Sequence, residues 1–146
     1  MTRIDKPKES YIDKILQDIF NLNKPSIEDS RKVELHDFIK MTINGDSPKE
    51  YFAINANLDN GDEGAVVYIL TNTRLIKVDI GINGEVQSSS FIFDSIINIK
   101  RKLLSDGRAE IEVLFQNGSF GLRYQNSDKK ISDFFQAMDQ LRIKNG

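Results

Sequence analysis

Apolar residues recur at helical spacing through the first fifty positions and at every second position after that. The stretch SYIDKILQDIFNL, residues 10–22, sets Ile12, Ile15, Leu16, Ile19 and Phe20 on one face. Ser10 stands as its N-cap, with Asp13 three residues on. Asn23-Lys24-Pro25 ends this helix, and Ser26 can cap a second one with Ile27, Leu35, Phe38 and Ile39 apolar and Val33 off the stripe. Asn44-Gly45-Asp46-Ser47-Pro48 then breaks the pattern.

From residue 51, Phe52, Ile54, Ala56 and Leu58 alternate with Tyr51, Ala53, Asn55 and Asn57, the signature of a half-buried strand. Pro48 could instead open a helix, but the alternation persists too long for that reading. The predicted strands run over about 51–58, 64–71, 74–80, 85–93, 95–104, 108–116 and 119–125. A C-terminal helix extends from Ser127 as cap to about Ile143, with Ile131, Phe134, Phe135, Met138 and Leu141 as its stripe.

Turn chemistry sets the expected registers. Asn72-Thr73 as a loop brings Ile69 opposite Ile76, Val67 opposite Val78 and Ala65 opposite Ile80, and Asn83-Gly84 makes the next hairpin. A three-residue loop at Ser105-Asp106-Gly107, with the glycine left-handed, pairs Ile97 with Phe115 and Ile99 with Val113. It also pairs Lys100 with Glu112, Lys102 with Glu110 and Leu103 with Ala109. Asn117-Gly118 as a type I′ loop pairs Phe115 with Phe120, Val113 with Leu122, Ile111 with Tyr124 and Glu112 with Arg123.

Seven sequential antiparallel strands closed by one amphipathic helix resemble the pleckstrin-homology (PH) superfold. The hydrophobic strand leading into LTNTRLI, residues 70–76, is similar to bacterial PH-like domains of the YokE type and, more loosely, to GRAM domains. The resemblance covers roughly residues 50–143, dividing the chain into an N-terminal helical extension, 1–49, and a PH-like domain, 50–146. The fold class it implies is α+β: a seven-stranded antiparallel barrel or sandwich capped by a C-terminal helix and preceded by two helices. What it implies about function is a binding or scaffolding module, with no catalytic residues to carry over.

Composition narrows the function classes. The chain has 146 residues, 39% of them apolar, which suffices to bury a core. With no cysteine there is no disulfide, thiolate metal site or cysteine nucleophile, a composition that suits a reducing cytoplasm. Neither a signal peptide nor a membrane span is legible, the longest apolar run being Ala65 to Leu70. Twenty basic residues against twenty-two acidic ones give a net charge of -2, with -1 on each side of Glu50, so no general nucleic-acid affinity is expected.

Candidate chemistry is sparse. Phosphoinositide-binding PH domains use a basic first loop, whereas here that loop reads LDNGDEG, with Asp59, Asp62 and Glu63 and no base. Those acids lack the spacing of a calcium loop, and no metal or cofactor is expected. The only histidine, His36, lies on a helix beside Asp37 without an evident nucleophile, so an enzyme is not expected. A basic hairpin of Lys100, Arg101, Lys102 and Arg108 beside Leu103-Leu104 is the candidate surface for anionic lipid or a partner, although cross-strand pairing with Glu110 and Glu112 also accounts for it. Sheet edges can take up an extended peptide, and the leading helices can dock on the barrel or meet a partner. The expected function is thus a non-catalytic protein-interaction or scaffold module, with an unknown protein or a second copy as partner. Peripheral membrane binding is the alternative.

Overall fold

A computed structural model describes residues 5–22, 29–57, 63–81 and 83–145. Two helices, α1 (Asp5–Phe20) and α2 (Lys32–Ile43), precede seven strands: β1 (Pro48–Asn57), β2 (Glu63–Thr71), β3 (Arg74–Gly81), β4 (Val86–Ile92), β5 (Ile96–Leu103), β6 (Arg108–Phe115) and β7 (Gly118–Gln125). Helix α3 (Lys129–Asn145) closes the chain. The strands form an antiparallel sheet ordered β1-β2-β3-β4 and another ordered β5-β6-β7. Strand number, meander order and closing helix are those the sequence predicts. The chain divides into two compact units, Met1–Asn72 with Ile76–Ser89 and Thr73–Leu75 with Ser90–Gly146.

In the first unit both helices pack on one face of the sheet. Ile12, Ile15, Leu16 and Ile19 of α1 and Leu35, Ile39 and Ile43 of α2 share a buried cluster with Ala65, Val67, Ile69, Ile76, Val78 and Ile80. These six strand residues are the ones the hairpin at Asn72-Thr73 was expected to place on one face. Tyr51 and Ala53 of β1 also pack against this cluster while Phe52 is buried, so β1 is covered on both faces, not half-buried. Val33 points outward, as its place off the stripe predicts.

The polar groups of the Thr71-Asn72 turn bond to the connection between α2 and β1. Asn72 Oδ1 accepts from the Ser47 amide at 3.0 Å, the Asn72 amide donates to the Ser47 carbonyl at 3.1 Å, and the Thr71 hydroxyl donates to Asp46 Oδ2 at 3.1 Å. That connection leaves α2 through Asn44 in the left-handed conformation, the sole non-glycine residue with positive φ among the described residues. Pro48 opens a strand, not a helix.

The second unit has its own aromatic core. Phe115 stacks on Phe91 at 4.6 Å and lies 6.3 Å from Phe120, which in turn lies 6.3 Å from Phe135 of α3. Ile131, Phe134, Phe135 and Met138 are all buried, whereas Leu141 is only partly covered.

Four local expectations need correction. Helix α1 is described from Asp5 to Phe20, so Ser10 lies inside it and is not its cap. Asp128, not Ser127, caps α3, its carboxylate accepting from the Ile131 amide at 3.2 Å. The β6–β7 register is two residues from the expected one: Phe115 faces Gly118, Val113 faces Phe120, and Arg123 faces Glu110 instead of Glu112. A type I′ turn requires positive φ at Asn117, which does not adopt it. Because the slip is even, every side chain keeps its expected face. Finally, a bulge between Ile96 and Asn98 puts Ile96, not Ile97, opposite Phe115, while the pairs from Ile99 to Leu103 stand as expected. Asn23, Lys24, Pro25, Ser26, Ile27, Leu58, Asp59 and Asp62 lie outside the described residues.

One prediction concerns the seam between α1 and β1. The Tyr51 hydroxyl donates to Asp18 Oδ2 at 2.6 Å, and its ring meets Tyr11 edge-on at 5.4 Å. Burial first, then the Asp18 carboxylate for Tyr51 and Glu50 for Tyr11, pushes both phenols well above the ordinary tyrosine range. A raised folded-state pKa stabilises the fold fully below the unfolded value of about 10, and this is lost as pH climbs beyond it. Phenolate absorbance followed with pH should show Tyr11 and Tyr51 ionising only as the helical dichroism collapses. A Tyr51→Phe variant with an unchanged alkaline transition would refute the assignment.

Candidate functional site

The basic hairpin is β5, its turn and β6. The turn is the expected one, with Gly107 at φ 89° and the Leu104 amide donating to the Arg108 carbonyl at 2.8 Å. Its four cations do not converge. Lys100 and Lys102 face Glu112 and Glu110 across the ladder, whereas Arg101 faces the buried Ile111 and therefore lies on the opposite side of the sheet. There Arg101 donates to Asp139 of α3 at 2.6 Å. Arg108 folds back on its own turn, its Nε donating to Asp106 Oδ2 at 2.8 Å and its amide to Asp106 Oδ1 at 3.0 Å.

Glu110 is the hub of the solvent-facing side. It accepts from Arg123 at 2.7 Å and lies 4.0 Å from Lys102. The Arg123 hydrogen bond, foremost, holds the Glu110 carboxyl below the usual range and raises the guanidinium in turn. Asp106 is held low in the same way by the Arg108 amide and side chain. Both pairs are complete above the ordinary carboxylate pKa and are lost as pH falls through the depressed values. The expected turn pairs Arg123 with Glu112, two residues from its actual partner, and Asp139 goes unseen in the sequence because it pairs across tertiary structure that no local pattern encodes.

The same strand carries exposed apolar side chains. Ile97 is 59% and Leu103 68% exposed, so Leu103 is not inside the sheet although Ala109 stands opposite it in register. Strand β5 is also an end strand of its sheet. Elsewhere, His36 is half-buried between Asp13 and Asp37, 3.8 Å from each, along a cleft of about 620 Å³ between α1 and α2. Arg74, after the Thr71-Asn72 turn, donates to Ser90 Oγ at 2.9 Å. Among the described residues no cluster of ligating side chains suits a metal ion, and no helix is long and apolar enough to cross a membrane.

No protein-family model matches the chain, and no curated protein matches it. Among solved structures it is similar to the pleckstrin homology domain from Shewanella amazonensis SB2B, at 13% identity and a TM-score of 0.49. The match covers 73% of this chain and 96% of that one.

Proposed function

We propose that this chain is a non-catalytic protein-interaction or scaffold module of the bacterial PH-like, YokE-type or GRAM-like kind, working in the cytoplasm through the outer edge of β5. The observation that carries the reading is Ile97 and Leu103, 59% and 68% exposed on an end strand. An end strand presents unpaired backbone groups, and lysines there guard against indiscriminate pairing. On β5, Lys100, Arg101 and Lys102 are such a guard along the middle, while Ile97 and Leu103 on either side of them give a charge-matched incoming strand apolar side chains to pack against.

The membrane alternative rests on Leu103 beside Lys102. On the solvent-facing side, Lys100, Lys102 and Arg123 against Glu110 and Glu112 leave a net charge of +1. At about 1 kcal/mol per charge near an anionic surface, that is far short of a stable anchor. Co-sedimentation with phosphatidylserine vesicles at physiological salt should show no more binding than neutral vesicles do. Binding confined to anionic vesicles and lost in Lys100, Arg101, Lys102→Ala would favour the membrane alternative.

The interaction reading is tested by selecting displayed random peptides on the immobilised protein. Ile97→Asp/Leu103→Asp, which alters exposed side chains only, should keep its melting temperature and weaken the selected peptides about tenfold or more, given two lost apolar contacts. Peptides that bind this variant as well as the wild type would place the interaction elsewhere.

A further inference from the structure

The chemistry of the occupant follows from where the charges lie, given the edge reading above on which this inference rests. A strand added to β5 runs about 4.8 Å away, so its side chains meet Lys100, Arg101 and Lys102 directly. Glu110 and Glu112 lie one strand further, about twice that distance, near the length over which salt screens exposed charges. Arg101 is bonded to Asp139 on one side of the sheet, while Lys100 and Lys102 share the other, where an incoming acid competes with Glu112 and with Glu110, 4.0 Å from Lys102.

In the registers centred on its basic run, a second copy is a poor occupant. Antiparallel pairing of two β5 strands centred on Lys100 sets that residue against itself, and centring on Arg101 sets Arg101 against itself and Lys100 against Lys102. Like charges directly opposite destabilise a ladder.

We propose that β5 takes an extended acidic segment of another protein, entering antiparallel. Its pattern is apolar, acid, any, acid, any, any, apolar. The first apolar residue meets Leu103, the two acids meet Lys102 and Lys100, and the last apolar residue meets Ile97. From Leu103 to Asn98 the spacing follows from the period of two, which puts residues opposite one another on the same face; Ile97 stands in the bulge, where the alternation breaks.

The test uses the full chain, a labelled synthetic peptide of that pattern with glutamate at both acidic positions, and a counterpart with lysine at both, read by fluorescence anisotropy. The glutamate peptide should bind about tenfold tighter than the lysine peptide and weaken with salt. In Lys100→Glu/Lys102→Glu the preference should reverse. Sedimentation should show the unliganded protein as a monomer. Equal binding of the two peptides, a preference unchanged in the double variant, no binding of either, or self-association abolished by Ile97→Asp/Leu103→Asp would each overturn the acidic assignment. If peptides of any charge lose binding in Ile97→Asp/Leu103→Asp, the edge reading survives that failure. If none does, the edge reading falls too.

Discussion

A fragment beginning at Ser47, lacking both N-terminal helices, should fail to fold. Its loss would uncover Val67, Ile69, Ile76, Val78 and Ile80, all fully buried under α1 and α2. At about 2 kcal/mol for each exposed side chain the penalty is roughly 10 kcal/mol. A domain of this size has only about 5–15 kcal/mol to lose. Circular dichroism and amide dispersion of fragment 47–146 should show no cooperative melting and a strong tendency to aggregate. A fragment that melts cooperatively near the full-length temperature would instead show that residues 1–49 are an appendage and 50–146 an independent domain.

Phe115→Ala should be the most damaging single substitution in the second unit. The ring is 1% exposed, stacks on Phe91 at 4.6 Å and lies 6.3 Å from Phe120, so its removal leaves a cavity that rigid aromatic neighbours fill poorly. Large-to-small aromatic changes in cores cost about 3–5 kcal/mol. In a chain of this length that lowers the melting temperature by roughly 10 °C or more. Phe115→Leu, which keeps most of the volume, should recover over half of the loss. A melting temperature within experimental error of wild type for Phe115→Ala would contradict the packing described.

The architecture was legible because burial leaves a periodic trace. The six-residue apolar run from Ala65 to Leu70 is continuous because β2 is buried on both faces: Ala65, Val67 and Ile69 under the helices, Val66, Tyr68 and Leu70 on the other side. Turn details were less legible, since Asn117-Gly118 carries a hairpin signature that the backbone does not use and Ser127 competes with Asp128 for the same cap. Ser127 and Asp128 are equivalent caps by local rules, whereas at the hairpin those rules favour Asn117-Gly118 and the chain turns at Gln116-Asn117 instead. The exposed apolar pair was hidden for another reason. A one-residue bulge before Asn98 removes Ile97 from its place opposite Phe115, and no local signal announces a bulge there. Leu103 stands opposite Ala109 as the pairing predicts, yet register does not imply burial. An end strand separates the two, since a side chain can face a partner on one flank and water on the other.

The Glu110 hub bears on how the edge would be used. Its carboxylate draws Arg123 and Lys102 together on the solvent-facing side of the sheet, leaving Lys100 with Glu112 across the ladder. The cations of this hairpin therefore serve the strand first, and a ligand must compete with existing pairs. That favours an occupant whose backbone also bonds to β5 over one recognised by charge alone.

The most direct measurement is an amide nuclear magnetic resonance titration of the full chain with the tightest selected peptide. Strand addition predicts slowed solvent exchange at alternating amides of β5 and intermolecular contacts between the peptide and Ile97 and Leu103. Perturbations confined to α1, α2 or the Thr71-Asn72 turn, with β5 exchanging as before, would contradict the account.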